Sequence, residues 1–380
     1  MMKRIEFIDV AKFLAMILVI FTHAYKEGRF VNLVFSFHLP LFFFLNGMTL
    51  RFKDEPFQDF LIKKIKSYLI PTFFLGVLCI VSSYCMNSLN NVQMVNHYIL
   101  RNIINLLKEE RMYALWFVSA LFCSDLLIYA IYKISFKNVI VMGVFAICSL
   151  LIGFKLIDTV NVAIMWNLDV AFIGVFFVYI GYLFHHPLLD KIFHFTTDKR
   201  WISLLFGIAF AIPAFYLAKI NYETTNKHLE MFARIYTERI YTIPCAILGS
   251  FAFTFFSRVI SNKFFAILSK ANLVLLAFHQ PLYIPLYREY IFPKWWNQVS
   301  NLPAGDSKLI LYTLVLTISF IVIFEGVYYL FKYSPFPFIV NEKYASFYLR
   351  FLSFLKGKID RIKKRIYQKK DEESEEIKVE

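Results

Sequence analysis

The sequence is poor in charge, in cysteine and in the residues that punctuate loops. Only 18% of its 380 residues are Asp, Glu, Lys or Arg, too few to clothe an ordinary soluble surface. Glycine and proline number 12 each, which excludes collagen-like and low-complexity chains. The five cysteines, Cys79, Cys85, Cys123, Cys148 and Cys245, are odd in number and show no C-x-x-C spacing. They make neither a disulfide framework nor a metal site, and they are expected to pack as small buried hydrophobes. No unit of about 20 to 50 residues repeats, so solenoids and propellers are excluded. No soluble domain is expected beside the apolar part.

What remains is apolar. At 59% hydrophobic and 19% aromatic content, with mean hydropathy +0.57, the chain has more apolar surface than one soluble core can hide, and lipid must be its solvent. Apolar windows of about 18 to 25 residues, the length that crosses a bilayer, occur near 7–25, 33–50, 69–87, 113–132, 138–154, 168–185, 201–218, 240–257, 264–286 and 309–331. The fold class is therefore an all-α polytopic membrane protein of about ten transmembrane helices. Lys3 and Arg4 before the first window resemble a signal peptide, but Asp9 and Lys12 interrupt the apolar run, and it reads as a retained span. A transmembrane domain is expected over 1–335 and a basic tail over 336–380, amphipathic at first and then disordered.

Much of the basic excess behind the net charge of +14 lies between Lys332 and the end of the Arg361–Lys370 run, which suits a membrane surface and not a nucleic acid. The alternate connections carrying Arg51, Lys53, Lys63, Lys64 and Lys66, then Lys133 and Lys137, then Lys191, Lys199 and Arg200, then Arg258 and Lys263 fall on the same side. Both termini are accordingly expected in the cytoplasm. The opposite connections at 88–112, 219–239 and 287–308 are long enough to meet an extracytoplasmic partner.

Ionisable groups inside spans cost about 2.5–3.5 kcal/mol each on insertion scales, so each asks for a reason. The first span holds Asp9, Lys12 and His23. Lys12 and His23 lie about 16 Å apart in depth on one helix face, with Asp9 a turn before Lys12. Asp9 and Lys12 read either as an ion pair at the membrane edge or as part of a site, and His23 either as interfacial or as catalytic. The second span brings His38 near the outer turn, and Pro40 and Gly47 are expected to open that helix. A pair of imidazoles suits proton removal from a hydroxyl near neutral pH. Lys63, Lys64 and Lys66 read as positive-inside anchors or as a grip on the phosphates of a donor. Asp125, Asp169, Lys270, His279 and Glu325 are further polar groups in spans, with Asp169 expected to be solvated at an outer edge. His185 and His186 read as interfacial, and no metal is expected.

These residues resemble a known family. Arg4-x-x-x-Ile8-Asp9-x-Ala11-Lys12 followed by His23, the run Phe37-His38-Leu39-Pro40-Leu41-Phe42-Phe43-Phe44, Lys63-x-x-Lys66 with Pro71, Leu115-Trp116-Phe117, and Phe278-His279-Gln280-Pro281 look like the acyltransferase 3 family of integral-membrane O-acyltransferases, in particular its fucose 4-O-acetylase-like branch. Many members carry arginine where Lys12, Lys63 and Lys66 stand here, so charge is kept without the guanidinium fork. The resemblance implies a bacterial cytoplasmic membrane enzyme that moves an acetyl group from acetyl-CoA to a hydroxyl of an extracytoplasmic glycan or lipid-linked saccharide. It implies His23 and His38 as catalytic residues, Lys12, Lys63 and Lys66 as donor-binding residues, and Asp9, Trp116 and His279 in support. A homo-oligomer is compatible with it. A flippase for a lipid-linked saccharide needs an internal repeat that the sequence lacks, and a glycan polymerase or ligase needs an acid-base set in a large outer loop.

Overall fold

In the computed structural model, residues 6–26, 28–52, 55–93, 97–108, 111–185, 199–334 and 337–339 are described. Lys3 and Arg4, Lys53, His186, Lys191 and the basic tail apart from 337–339 lie outside them. Among the described residues, ten helices are long and apolar enough to cross a membrane: α1 (Glu6–Ala24), α2 (Arg29–Thr49), α3 (Phe57–Leu89), α4 (Trp116–Ile134), α5 (Val139–Thr159), α6 (Met165–Tyr182), α7 (Arg200–Thr225), α8 (Arg239–Val259), α9 (Lys263–Ile291) and α10 (Ser307–Tyr333). The hydropathy windows thus mark the right helices, and several ends differ by a few residues or more, two of them for a visible reason. The fourth begins at Trp116 because Tyr113 sits at φ 48, outside helical space. The third extends back to Phe57 through a π-turn at Ile65–Leu69.

The outward faces belong to lipid. On α5, Ile140, Val144, Ile147 and Leu151 recur at helical spacing and are all exposed, a stripe that fits hydrocarbon and would aggregate in water. Two cysteines share this fate. Cys79, Cys123 and Cys245 are buried as expected, whereas Cys85 and Cys148 are exposed on the outer faces of α3 and α5, because in a bilayer an apolar side chain gains nothing by turning inward.

The inner faces converge on α1, which packs against α2, α8, α9 and α10. Its buried side chains include Ile8, Ala11, Ala15, Val19 and Ile20. The end at which α1 begins is called the near end below, and the end at which it finishes, the far end.

Beside it, α2 crosses α6 at very short range. A Cβ on Gly47 would stand 2.0 Å from the Val178 carbonyl oxygen, and one on Gly181 2.0 Å from that of Phe44. Glycine here lets two backbones touch, as is common where lipid gives helices no hydrophobic reason to associate. Gly47 therefore closes a packing contact and does not open the helix. Pro40 does not open it either, since it lies in the first turn of the His38–Thr49 segment, where a backbone N–H would have no partner in any case.

The break in α2 lies earlier, between Arg29–Phe35 and His38–Thr49. Phe37 at φ −137 interrupts the ladder, and the His38 Nδ1–H donates at 2.9 Å to the Val34 carbonyl, which also accepts from the Phe37 N–H at 3.1 Å.

Candidate active site

A cavity of about 370 Å³ follows α1 from Lys12 through Met16 and Val19 to His23. The side chains lining it change character along its length.

At the near end the lining is polar: Lys12, Asn46, Ser67, Tyr68 and Asn272. Behind them lies an ion pair. Lys64 Nζ donates to Asp125 Oδ2 at 2.5 Å, and Asn46 Nδ2 donates to Asp125 Oδ1 at 2.6 Å. The Tyr68 hydroxyl donates to Asn46 Oδ1 at 3.3 Å, and Lys64 stands over the Phe60 and Tyr68 rings. Asp125 is fully buried, so its charge is tolerable only with this cation and these donors. Of the lysines expected to hold a donor, Lys12 lines the cavity, whereas Lys63 is exposed and Lys66 half-buried two residues before Tyr68, outside the lining. Asp9 lies on a separate shallow cleft with Glu6, Lys263 and Lys270.

At the far end three imidazoles gather. His23 and His38 both line the cavity. The His23 ring lies 5.2 Å from that of His279 and 5.8 Å from that of Phe35, centroid to centroid, and Phe35 in turn contacts His38 at 4.9 Å and His228 at 4.6 Å. Gln280 Nε2 donates to His23 Nδ1 at 3.1 Å. His38 is 3% exposed and His279 fully buried. With Nδ1–H of His38 on Val34 and Nδ1–H of His279 on Leu276 at 2.9 Å, both rings keep their Nε2 lone pair. His279 Nε2 has no hydrogen-bond partner among the described residues.

The far mouth is roofed by the 228–235 turn, from which Glu230, Met231 and Phe232 join the lining. Phe232 meets the Trp116 ring at 5.8 Å, and Arg111 stands over Trp116 at 5.6 Å. Arg111 donates to Asp169 Oδ2 at 2.7 Å, to Asn167 Oδ1 at 2.9 Å and to the Phe232 carbonyl at 2.5 Å. Burial pulls the Arg111 pKa below its usual value, and the Asp169 carboxylate opposes that pull. Asp169 is not solvated, as its position at an outer edge suggested, but fully buried and ion-paired to Arg111 and, at 3.0 Å, to Arg234. Both arginines come from connections, so no spacing within a span announces them.

The sequence reading singles out His23, His38, Lys12, Trp116 and His279 at this cavity, and the first four line it while His279 backs His23. It leaves out Gln280, though the motif contains it, and Asn46, Tyr68, Asn272, Phe35 and Glu230. An amide or a tyrosine in a span costs little, and that explains why none of these stands out. The π-turn at His279–Tyr283 is legible in part, since Pro281 removes a donor from the ladder there. Among the described residues no three His, Cys, Asp or Glu side chains converge as metal ligands.

The chemistry available is proton transfer at the far end and anion or amide binding at the near end. A family model described as an acyltransferase domain matches residues 5–324, which includes every cavity residue named above. No curated protein and no solved structure matches the chain.

Proposed function

Because this chain belongs to that acyltransferase family, we propose that it is an O-acetyltransferase that moves an acetyl group from cytoplasmic acetyl-CoA to a hydroxyl of an extracytoplasmic glycan or lipid-linked saccharide. The observation that carries this reading is the continuous cavity along α1, with Lys12 and four amide or hydroxyl side chains at one end and His23 beside His38 at the other. On this reading the near end is cytoplasmic, the membrane is a bacterial cytoplasmic membrane, and the chain belongs to the fucose 4-O-acetylase-like branch.

The donor phosphates meet Lys12 and, at the near mouth, Lys63 and Lys66, since clustered cations are the natural partners of a polyanion. The pantetheine arm runs along α1. Its amide groups would be costly in an apolar channel without partners, and Asn46, Tyr68 and Asn272 supply them. The thioester then lies near His23, about 16 Å further along the helix.

There His23 acts as general base. The Gln280 amide lies 3.1 Å from Nδ1 and 3.4 Å from Nε2 of the ring; with its oxygen accepting from Nδ1–H, Nε2 keeps its lone pair for the acceptor hydroxyl. The acceptor hydroxyl gives its proton to His23 as its oxygen attacks the thioester carbonyl. The C–O bond forms, the C–S bond breaks, and the departing thiolate takes the proton back from His23. His38, with its own Nε2 lone pair in the same space, accepts a hydrogen bond from a neighbouring hydroxyl of the acceptor. The wall of Phe35, Phe42, Phe117 and Trp116 keeps water from competing with the acceptor.

Glycan mass spectrometry of a deletion strain tests the reading. Loss of acetyl groups with export and chain length unchanged supports it. Lost export or shortened chains with acetylation intact would point instead to a flippase or a glycan polymerase.

A further inference from the structure

The turn that roofs the far mouth is more firmly built than a loop needs to be. Its two limbs close through a reciprocal backbone pair, Glu230 N–H to the Ile235 carbonyl at 2.8 Å and Ile235 N–H to the Glu230 carbonyl at 3.0 Å. Arg234, at a left-handed φ of 63, donates to the carbonyls of Leu156, Val160 and Val162 at the end of α5 and pairs with Asp169. Arg111 holds the Phe232 carbonyl. Leu229 and Met231 are buried anchors, and between and beyond them Glu230 and Phe232 project into the cavity mouth. Fixing a backbone this tightly is useful when the side chains it carries must be placed to a fraction of an ångström.

The charge pattern narrows what they meet. Among the described residues lining the cavity, Lys12 is the sole Lys or Arg, and it stands at the near end. Both arginines near the far mouth are spent on Asp169 and on backbone carbonyls. The far half therefore offers one carboxylate, Glu230, with imidazoles and aromatic rings. A carboxylate accepts hydrogen bonds from two neighbouring hydroxyls, an aromatic face covers the C–H face of a sugar ring, and an anionic acceptor would be repelled.

We infer that Glu230 and Phe232 form the acceptor subsite and that the acceptor presented there is a neutral, polyhydroxylated ring. The inference rests on the O-acetyltransferase reading above and adds the residues that choose the acceptor. Glu230 fixes the ring by its hydroxyls, Phe232 and Trp116 cover its apolar face, and a remaining hydroxyl is turned toward His23. The same carboxylate discourages the polyanionic donor from entering at this mouth.

The test uses the full chain in lipid nanodiscs with labelled acetyl-CoA, a neutral oligosaccharide and its uronic-acid counterpart. Glu230→Gln is expected to raise KM for the neutral acceptor about tenfold or more, the worth of a hydrogen bond to a charged group, with donor KM unchanged and kcat within a few-fold. Phe232→Ala is expected to raise acceptor KM in the same selective way. Glu230→Asp, which keeps the charge, should fall between Gln and the native residue. The native chain should prefer the neutral acceptor, and Glu230→Gln should narrow that preference. Unchanged acceptor KM in both Glu230→Gln and Phe232→Ala overturns the inference while leaving the transferase reading intact. A parallel rise of donor and acceptor KM in all three variants marks a structural role and also overturns it. If the native chain consumes acetyl-CoA on another acceptor and acetylates no carbohydrate, the functional reading fails and this inference with it.

Discussion

The side-chain amide of Gln280 meets Nδ1 of His23 at 3.1 Å, although 257 positions separate the two residues. The contact ties α9 to α1 at the far end of the cavity and fixes how the imidazole faces the cavity. Replacing Gln280 by Ala should therefore lower kcat about tenfold, the worth of one orienting hydrogen bond, with both KM values little changed. Steady-state kinetics on the purified variant checks this, and an unaltered kcat would show that the ring needs no orienting partner.

Among the described residues lining the cavity, Lys12 is the one Lys or Arg. Lys12→Gln should raise the donor KM at least several-fold and leave the acceptor KM alone, and the effect should shrink as salt is added, because exposed phosphate contacts are screened. Lys63→Gln with Lys66→Gln, outside the lining, should give a smaller increase in the same direction. Equal effects on both substrates would contradict a donor-phosphate role.

The buried Lys64–Asp125 pair tests stability apart from catalysis. Asp125→Ala strands Lys64, which is 12% exposed at its side chain, beside apolar rings and should destabilise the fold by about 3–5 kcal/mol. Lys64→Met combined with Asp125→Leu removes both charges and should recover most of that loss. Thermal unfolding in detergent of the single and double variants measures the coupling, and additive losses would mean that the pair does not act as one unit.

The crossing of α2 and α6 has no room for a methyl group. Gly47→Ala or Gly181→Ala places a Cβ 2.0 Å from a backbone oxygen, so the helices must separate, at a cost of about 1–3 kcal/mol or more. The observable is the yield of monodisperse protein after extraction, which should fall for either variant. A yield equal to that of the native chain would show that the crossing has slack.

Much of the fold was open to reading from hydrophobicity, because a bilayer demands about 20 apolar residues per crossing and the sequence supplies ten such runs. The break at Phe37 and the start of α4 at Trp116 were not open, since each depends on a backbone angle that tertiary packing selects. At the candidate site the histidines and Lys12 stand out because charge and imidazole are rare in apolar spans. Gln280 and Glu230 do not. The amide is cheap in a span, and the carboxylate lies in a polar connection where acids are ordinary. Asp169 shows the limit most plainly: its position beside a connection suggests solvent, yet two arginines from distant connections bury it. The two exposed cysteines mark the converse, for apolarity in a membrane chain says that a residue avoids water and not that it avoids the surface.

The most direct measurement uses sealed vesicles in which labelled acetyl-CoA is supplied on one side and the glycan acceptor on the other. The native chain is expected to label the glycan across the bilayer, and His23→Ala, matched for insertion and amount, is expected to lose at least a hundredfold in rate, the usual worth of a general base. Labelling by His23→Ala at the native rate, or labelling by the native chain only when donor and acceptor share a side, would contradict the account.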